Sequence, residues 1–213
     1  KGNSRLQYIV PFNRDLVIFG TDNAQFVISG RGTVTPDTAS MVLTTEFDAD
    51  LTSRPVVAGN NILFASYTGQ FSKVHEMYLK GDQDNHDRRN VSTHVPNYIP
   101  GRTNILTSAD GSSMLFLVAA DKRTVVIWEY LWIDDRRVQN AWSKWTFDLD
   151  VVSLFEEAGQ LYIVMQDDEK ALYVNKMKLD RSADPDLDFE VNADYKQRIT
   201  LADETAINEI TPG

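Results

Sequence analysis

The chain has 213 residues and a mass of 24.1 kDa, and its 42% hydrophobic and 24% charged content is that of a folded domain, which excludes wholesale disorder. A net charge of -10 and a pI near 4.7 argue against a protein that grips nucleic-acid phosphates, since that binding draws on clustered Lys and Arg. Cysteine is absent, which removes disulfides and thiolate metal sites, and no apolar run approaches the about eighteen residues of a membrane helix, so no stable membrane insertion is expected. The chain begins at Lys1 with no signal-peptide pattern, ends at Thr211-Pro212-Gly213, and reads as a piece of a longer polypeptide.

In chain order, the first unit spans 6–30. Leu6–Val10, Asp15–Phe19 and Gln25–Ser29 are three short apolar strands separated by polar turns at Pro11–Arg14 and Gly20–Asn23, an antiparallel meander. Gly30–Ala39 reads as a loop, and Gly30-Arg31-Gly32-Thr33 is too short a glycine signal to mean more. A second unit, 41–80, comprises strands at Met41–Phe47, Pro55–Val57, Ile62–Tyr67 and Phe71–Leu79, with a Gly59-Asn60-Asn61 turn. The polar run Gly81–Asn90 breaks all periodicity and reads as a loop, and Val91–Gly101 as a connection with short strand content.

The third unit, 103–147, contains strands at Thr103–Thr107 and Met114–Ala119 and then the aromatic stretch Val125–Phe147. That stretch holds all four tryptophans and reads as a long strand, a polar reversal from Asp134 to Asn140, and a second short strand. The fourth unit, 151–180, has strands at Val151–Phe155, Leu161–Met165 and Leu172–Leu179. The last part, 184–213, is acidic and broken by Pro185, and is expected to be an edge strand or the start of an adjoining domain.

The second strands of the four units read DLVIF, NILFA, SMLFL and QLYIV, and their leucines, Leu16, Leu63, Leu115 and Leu161, recur at roughly 50-residue intervals. A meander repeating at that period is the signature of a propeller blade. Runs such as Leu161–Met165 are apolar on both faces, as strands covered by neighbouring sheets must be. The expected fold is therefore all-β, a β-propeller-like array of about four antiparallel meander blades over 1–183, with a two-layer β-sandwich as the alternative. The four leucines and Trp128, Trp132, Trp142 and Trp145 are the expected structural core, the rings filling the space between blades rather than stacking on sugars.

Candidate chemistry is thin. His75, His86 and His94 lack zinc-ligand spacing. The loop Asp82–Asp87 has a superficial likeness to a calcium loop, but Asp87 stands where the EF-hand needs glycine and Thr93 where it needs glutamate. The acid pairs Asp134-Asp135, Glu156-Glu157 and Asp167-Asp168 could suggest a glycosidase dyad, yet all lie at expected turns. Adjacent strand residues also point to opposite faces. No catalytic residue, cofactor or metal is expected.

The segments Tyr8–Gly30 and Trp128–Asp148 resemble the tail tubular protein B family, the tail nozzle of short-tailed double-stranded DNA bacteriophages. The resemblance is carried by Phe12, Asn13, Leu16, Phe19, Gln25 and Phe26, then by Asp134 or Asp135 with Arg137, Gln139, Ala141, Trp142 and Trp145. It implies a non-enzymatic virion protein, a subunit of a hexameric tube stacked on an adaptor ring of tubular protein A, with tail fibres and ejected internal proteins as further partners. It also implies a conduit through which DNA passes without specific binding, and an acidic wall suits that role because each neutralised phosphate adds binding to be broken. The alternative function is a glycan-binding or glycan-hydrolysing propeller acting on the host surface.

Overall fold

A computed structural model of the chain describes residues 4–29, 35, 37–80, 85–133 and 136–179. The described residues form four antiparallel sheets that follow one another along the chain. The first is β1 (Leu6–Phe12), β2 (Asp15–Gly20), β3 (Gln25–Ser29) and β4 (Met41–Thr45), paired in that order. The second is β5 (Val56–Ala58), β6 (Asn61–Tyr67), β7 (Phe71–Lys80) and β8 (Asn85–Asn90), with the two-residue β9 (Ile99–Pro100) also paired to β7. The third is β10 (Ile105–Ala109), β11 (Met114–Val118), β12 (Thr124–Ile133) and β13 (Arg136–Thr146). The fourth is β14 (Asp150–Glu157), β15 (Gln160–Gln166) and β16 (Leu172–Lys178).

Three elements differ from the sequence reading. Met41–Thr45 completes the first sheet by pairing with β3, Phe26 opposite Leu43, instead of opening the second unit. Asn85–Asn90 is a strand on β7 rather than loop, because an outermost strand tolerates polar residues on its wet side and its period is hard to read. In the aromatic hairpin, Arg136–Asn140 is strand rather than polar reversal, paired with Tyr130–Ile133 around a bulge. Residues 82–84 of the run with a superficial likeness to a calcium loop, the pair Asp134-Asp135 and the segment 184–213 lie outside the described residues.

Apolar residues collect in three layers, one between each consecutive pair of sheets. Val10, Phe12, Val17 and Phe19 of the first sheet meet Ile62, Phe64 and Met77 of the second. Leu63 and Val74 of the second meet Leu115, Leu117, Val126 and Trp128 of the third. Phe116, Val118, Val125 and Ile127 of the third meet Val151, Leu154, Leu161, Ile163 and Met165 of the fourth. Four sheets with three intervening cores stand in place of the two layers of a sandwich.

The first strand of each sheet lies beside the first strand of the next: β1 approaches β5, β5 approaches β10, and β10 approaches β14. Side chains tie them together. Ser108 Oγ donates to the Val57 carbonyl at 2.7 Å, and Thr107 Oγ1 donates to the Leu154 carbonyl at 2.7 Å. The passage from the second to the third sheet runs through Gly101, whose φ of 68° and missing Cβ let the chain pass Ala120, which a Cβ there would meet at 2.4 Å.

Hairpin register corrects the repeat. The turns place Asp15, Asn61, Met114 and Gln160 first on the second strands, so the equivalent next residues are Leu16, Ile62, Leu115 and Leu161. Ile62, Leu115 and Leu161 each face the preceding sheet and are fully buried. Leu63 is one residue out of phase and faces the following sheet, though it too is buried. Leu16 is not core: it points away from the second sheet and is 41% exposed, because no described sheet precedes the first.

Candidate functional site

The most developed polar constellation lies in a cleft of about 750 Å³ between the second and third sheets. It is centred on Glu76, a carboxylate on β7 that is 2% exposed. Strand alternation dictates its position: Val74 and Glu76 point toward the third sheet, and His75 and Met77 away from it. Glu76 Oε2 accepts from Arg89 Nε at 2.6 Å and from Arg137 Nη2 at 2.5 Å, while Oε1 accepts from Asn61 Nδ2 at 2.6 Å. Asn61 comes from β6, Arg89 from β8 and Arg137 from β13, so with β7 itself one carboxylate ties four strands of two sheets.

The aromatic side of the cleft is built by β12. The Arg137 guanidinium carbon lies 5.0 Å from the Trp128 ring and 4.7 Å from the Trp132 ring, and that of Arg89 lies 4.9 Å from Trp132 and 4.8 Å from Tyr78. Both arginines thus stack on Trp132, a geometry that cation–π attraction favours. Trp128 Nε1 donates to Asn140 Oδ1 at 2.6 Å, and its ring lies 5.8 Å from Trp142 in a stacked arrangement. Burial pushes the Arg137 guanidinium below its ordinary pKa, opposed by the Glu76 carboxylate. Burial, with Asp110 and Glu76 adding negative potential, pushes the Tyr130 phenol up.

The four tryptophans are not equivalent. Trp128 is fully buried against the core between the second and third sheets. Trp142 packs half-buried on that same layer, and Trp145 half-buried on the layer between the third and fourth sheets, 5.8 Å from Phe116. Trp132 belongs to none of the three apolar layers and is half-buried under the two arginines. Glu76 and Arg89 carried no signal in the sequence. Their positions, one within an apolar strand and one in a polar run, acquire meaning only when β7, β8 and β13 meet.

Of the acids weighed as a glycosidase dyad, Glu156 and Asp167 are engaged at turns, as the sequence reading favoured. Glu156 Oε1 accepts from the Gly159 backbone N–H at 2.6 Å across the β14–β15 turn. Asp167 Oδ1 accepts from the backbone N–H groups of Glu169 and Ala171 at 3.0 and 2.9 Å, and Tyr173 donates to Oδ2 at 2.9 Å. These carboxylates shape turns. The histidines are also dispersed: His75 is buried beside Ser66, His86 is on β8 facing Phe12, and His94 is exposed in the following turn. Among the described residues no group of three or more His, Asp or Glu side chains has the arrangement of a metal site.

The family model described as bacteriophage nozzle protein matches residues 2–212. The tail tubular protein gp12 of Escherichia phage T7 is 28% identical over 204 residues, covering 92% of this chain and 25% of that protein. The chain therefore spans about a quarter of the length of the curated relative it matches. Among solved structures, Hsv2 of Kluyveromyces lactis, a β-propeller protein, is similar with a TM-score of 0.50 at 12% identity, covering 86% of this chain and 52% of that one. A second Hsv2 structure, with loop 6CD complete, is similar with a TM-score of 0.49 at 12% identity, over 82% of this chain and 49% of that one. With a match that runs from residue 2 to residue 212, the chain belongs to the bacteriophage nozzle protein family.

Proposed function

We propose that the chain is a β-propeller-like part of a phage tail nozzle, a non-enzymatic virion component that assembles as a ring or tube on the tail adaptor and lines the route of DNA ejection. The observation that carries this reading is the nozzle-family match over 2–212. The fold supports it independently. Sheets stacked in chain order, with their first strands adjacent, are what blades around an axis require.

The chemistry is that of a wall rather than a catalyst. The Glu76 cluster is spent on internal hydrogen bonds, and both of its arginines lie over Trp132, leaving that ring little free face for a sugar. The net charge of -10 suits a surface past which DNA slides. Partners in this reading are further copies of the subunit, in a hexameric ring, and the adaptor of tubular protein A, with fibres and internal virion proteins as transient contacts.

The test is electron microscopy of the full-length protein together with a polysaccharide-cleavage assay. Rings with a central channel and no cleavage are expected. A cleavage activity that is lost in Glu156→Gln or Glu157→Gln while folding is retained would overturn the structural reading in favour of the glycan-active alternative.

A further inference from the structure

The link from the first sheet to the second carries side-chain oxygen at alternate residues. Asp48, Asp50 and Thr52 occupy every second position between β4 and β5, the alternation with which calcium loops begin. Thr52 and Ser53 stand where the EF-hand has Asp or Asn and then glycine, so the likeness is one of donor alternation only. The fold gathers these residues, with Gln7 of β1, Thr21 of the β2–β3 turn, Tyr67 and Arg102, around one pocket of about 490 Å³.

Asp50 is satisfied on one side only. Its side chain is 5% exposed, and Oδ1 accepts from the Thr52 backbone N–H at 3.1 Å, from Thr52 Oγ1 at 2.7 Å and from Arg102 Nη1 at 2.8 Å. Oδ2 has no hydrogen-bond partner. A buried carboxylate oxygen left without a donor is costly, and a cation is one remedy. Asp48 adds a second, exposed carboxylate to the same pocket. Gln7 donates Nε2 to the Leu51 carbonyl at 2.9 Å, which keeps its Oε1 as an acceptor, and the Thr21 and Thr52 hydroxyls add neutral oxygens. No histidine lines the pocket and the chain has no cysteine, so the donors suit a hard cation and not zinc or copper. Room for several waters favours calcium, with its irregular shell of about six to eight oxygens, over magnesium.

We infer that this pocket is a calcium site in which the ion binds Asp50 Oδ2 and Asp48, with Arg102 as its competitor. The Arg102 guanidinium pairs with Asp50 and lies 4.5 Å from the Tyr67 ring, yet its side chain is 54% exposed and can withdraw into solvent when a dication takes its place. Two carboxylates completed by neutral oxygens fall short of a three-acid cluster, so the affinity belongs to the weak class, with a Kd of about 0.1 to 1 mM. The bound ion joins the start of β1 and the β2–β3 turn to the link that leads into the second sheet, and so fastens the first two sheets at that end.

The test is a titration of the chelator-stripped full-length protein with Ca2+ by calorimetry and with Tb3+ by aromatic-sensitised luminescence. Saturable Tb3+ emission that Ca2+ displaces is expected, and it should dim in Tyr67→Phe with the midpoint unchanged, because that ring lines the pocket. Asp50→Asn and the exposed Asp48→Asn should each weaken Ca2+ binding by about tenfold, since each removes one ligand charge. Arg102→Gln should tighten it by about fivefold, the direction that a competing cation predicts and a merely structural arginine does not. Absence of Tb3+ emission overturns the inference. So does Ca2+ binding that Asp48→Asn and Asp50→Asn leave unchanged, which marks an adventitious ion only, or weaker binding in Arg102→Gln, which makes the guanidinium a support of the site and not its rival.

Discussion

His75 illustrates how one buried polar group makes the fold sensitive to acid. Its ring lies 5.4 Å from Phe64 in a stacked arrangement and its Nε2 is 2.9 Å from Ser66 Oγ. Burial, reinforced by Arg88 and Lys73, pushes its pKa down from 6.5 to about 4. Between those two values the unfolded chain binds the proton and the folded chain does not. Stability tied to this residue is therefore complete above pH 6.5 and falls as pH drops toward 4, by on the order of 3 kcal/mol at most. Urea midpoints measured across that window should fall less steeply in His75→Gln than in the wild type. An unchanged slope would show that other groups dominate the acid response. Leu16 makes the opposite point, because its apolar character was plain in the sequence while its exposure depends on which sheets are present to cover it.

At the scale of elements, the Glu76 carboxylate joins β7, β8 and β13 and so fixes the second sheet against the third. Removing one partner from a buried charge cluster leaves the others uncompensated. Glu76→Gln should therefore cost about 3 to 5 kcal/mol. The double substitution Glu76→Gln/Arg137→Met should cost less than the sum of its parts, a non-additivity that a double-mutant cycle in urea would measure. Additive costs would mean that the two side chains are not coupled. The apolar strands β2, β6, β11 and β15 were legible in the sequence, since dense β-branched and aromatic runs between turn residues leave few other conformations. The outer strands β8 and the first half of β13 were not. Their polar residues are satisfied by tertiary partners such as Glu76 and Trp128, which no local pattern announces.

For the whole molecule, the roughly 50-residue recurrence foretold four antiparallel units, and the described residues form four antiparallel sheets, although β4 joins the first sheet rather than the second. In the second unit the hairpin register departs from the recurrence of leucines by one residue, so that Ile62 and not Leu63 is the equivalent of Leu16. An apolar strand covered on both faces carries no alternation to fix which face is which. Its hairpin turn does fix it, through the pairing of Ala58 with Asn61. Among the described residues, the Glu76 cluster, the Glu156 turn carboxylate and the Trp128 and Trp132 rings under Arg137 are committed to holding sheets and turns in place. The most direct measurement is a reconstruction of the full-length nozzle protein at a resolution that traces strands. Consecutive packing of these four sheets, with β1, β5, β10 and β14 nearest the blade axis and Ile62, Leu115 and Leu161 buried between neighbours, is the expected result, and two facing layers with the first strands apart would contradict it.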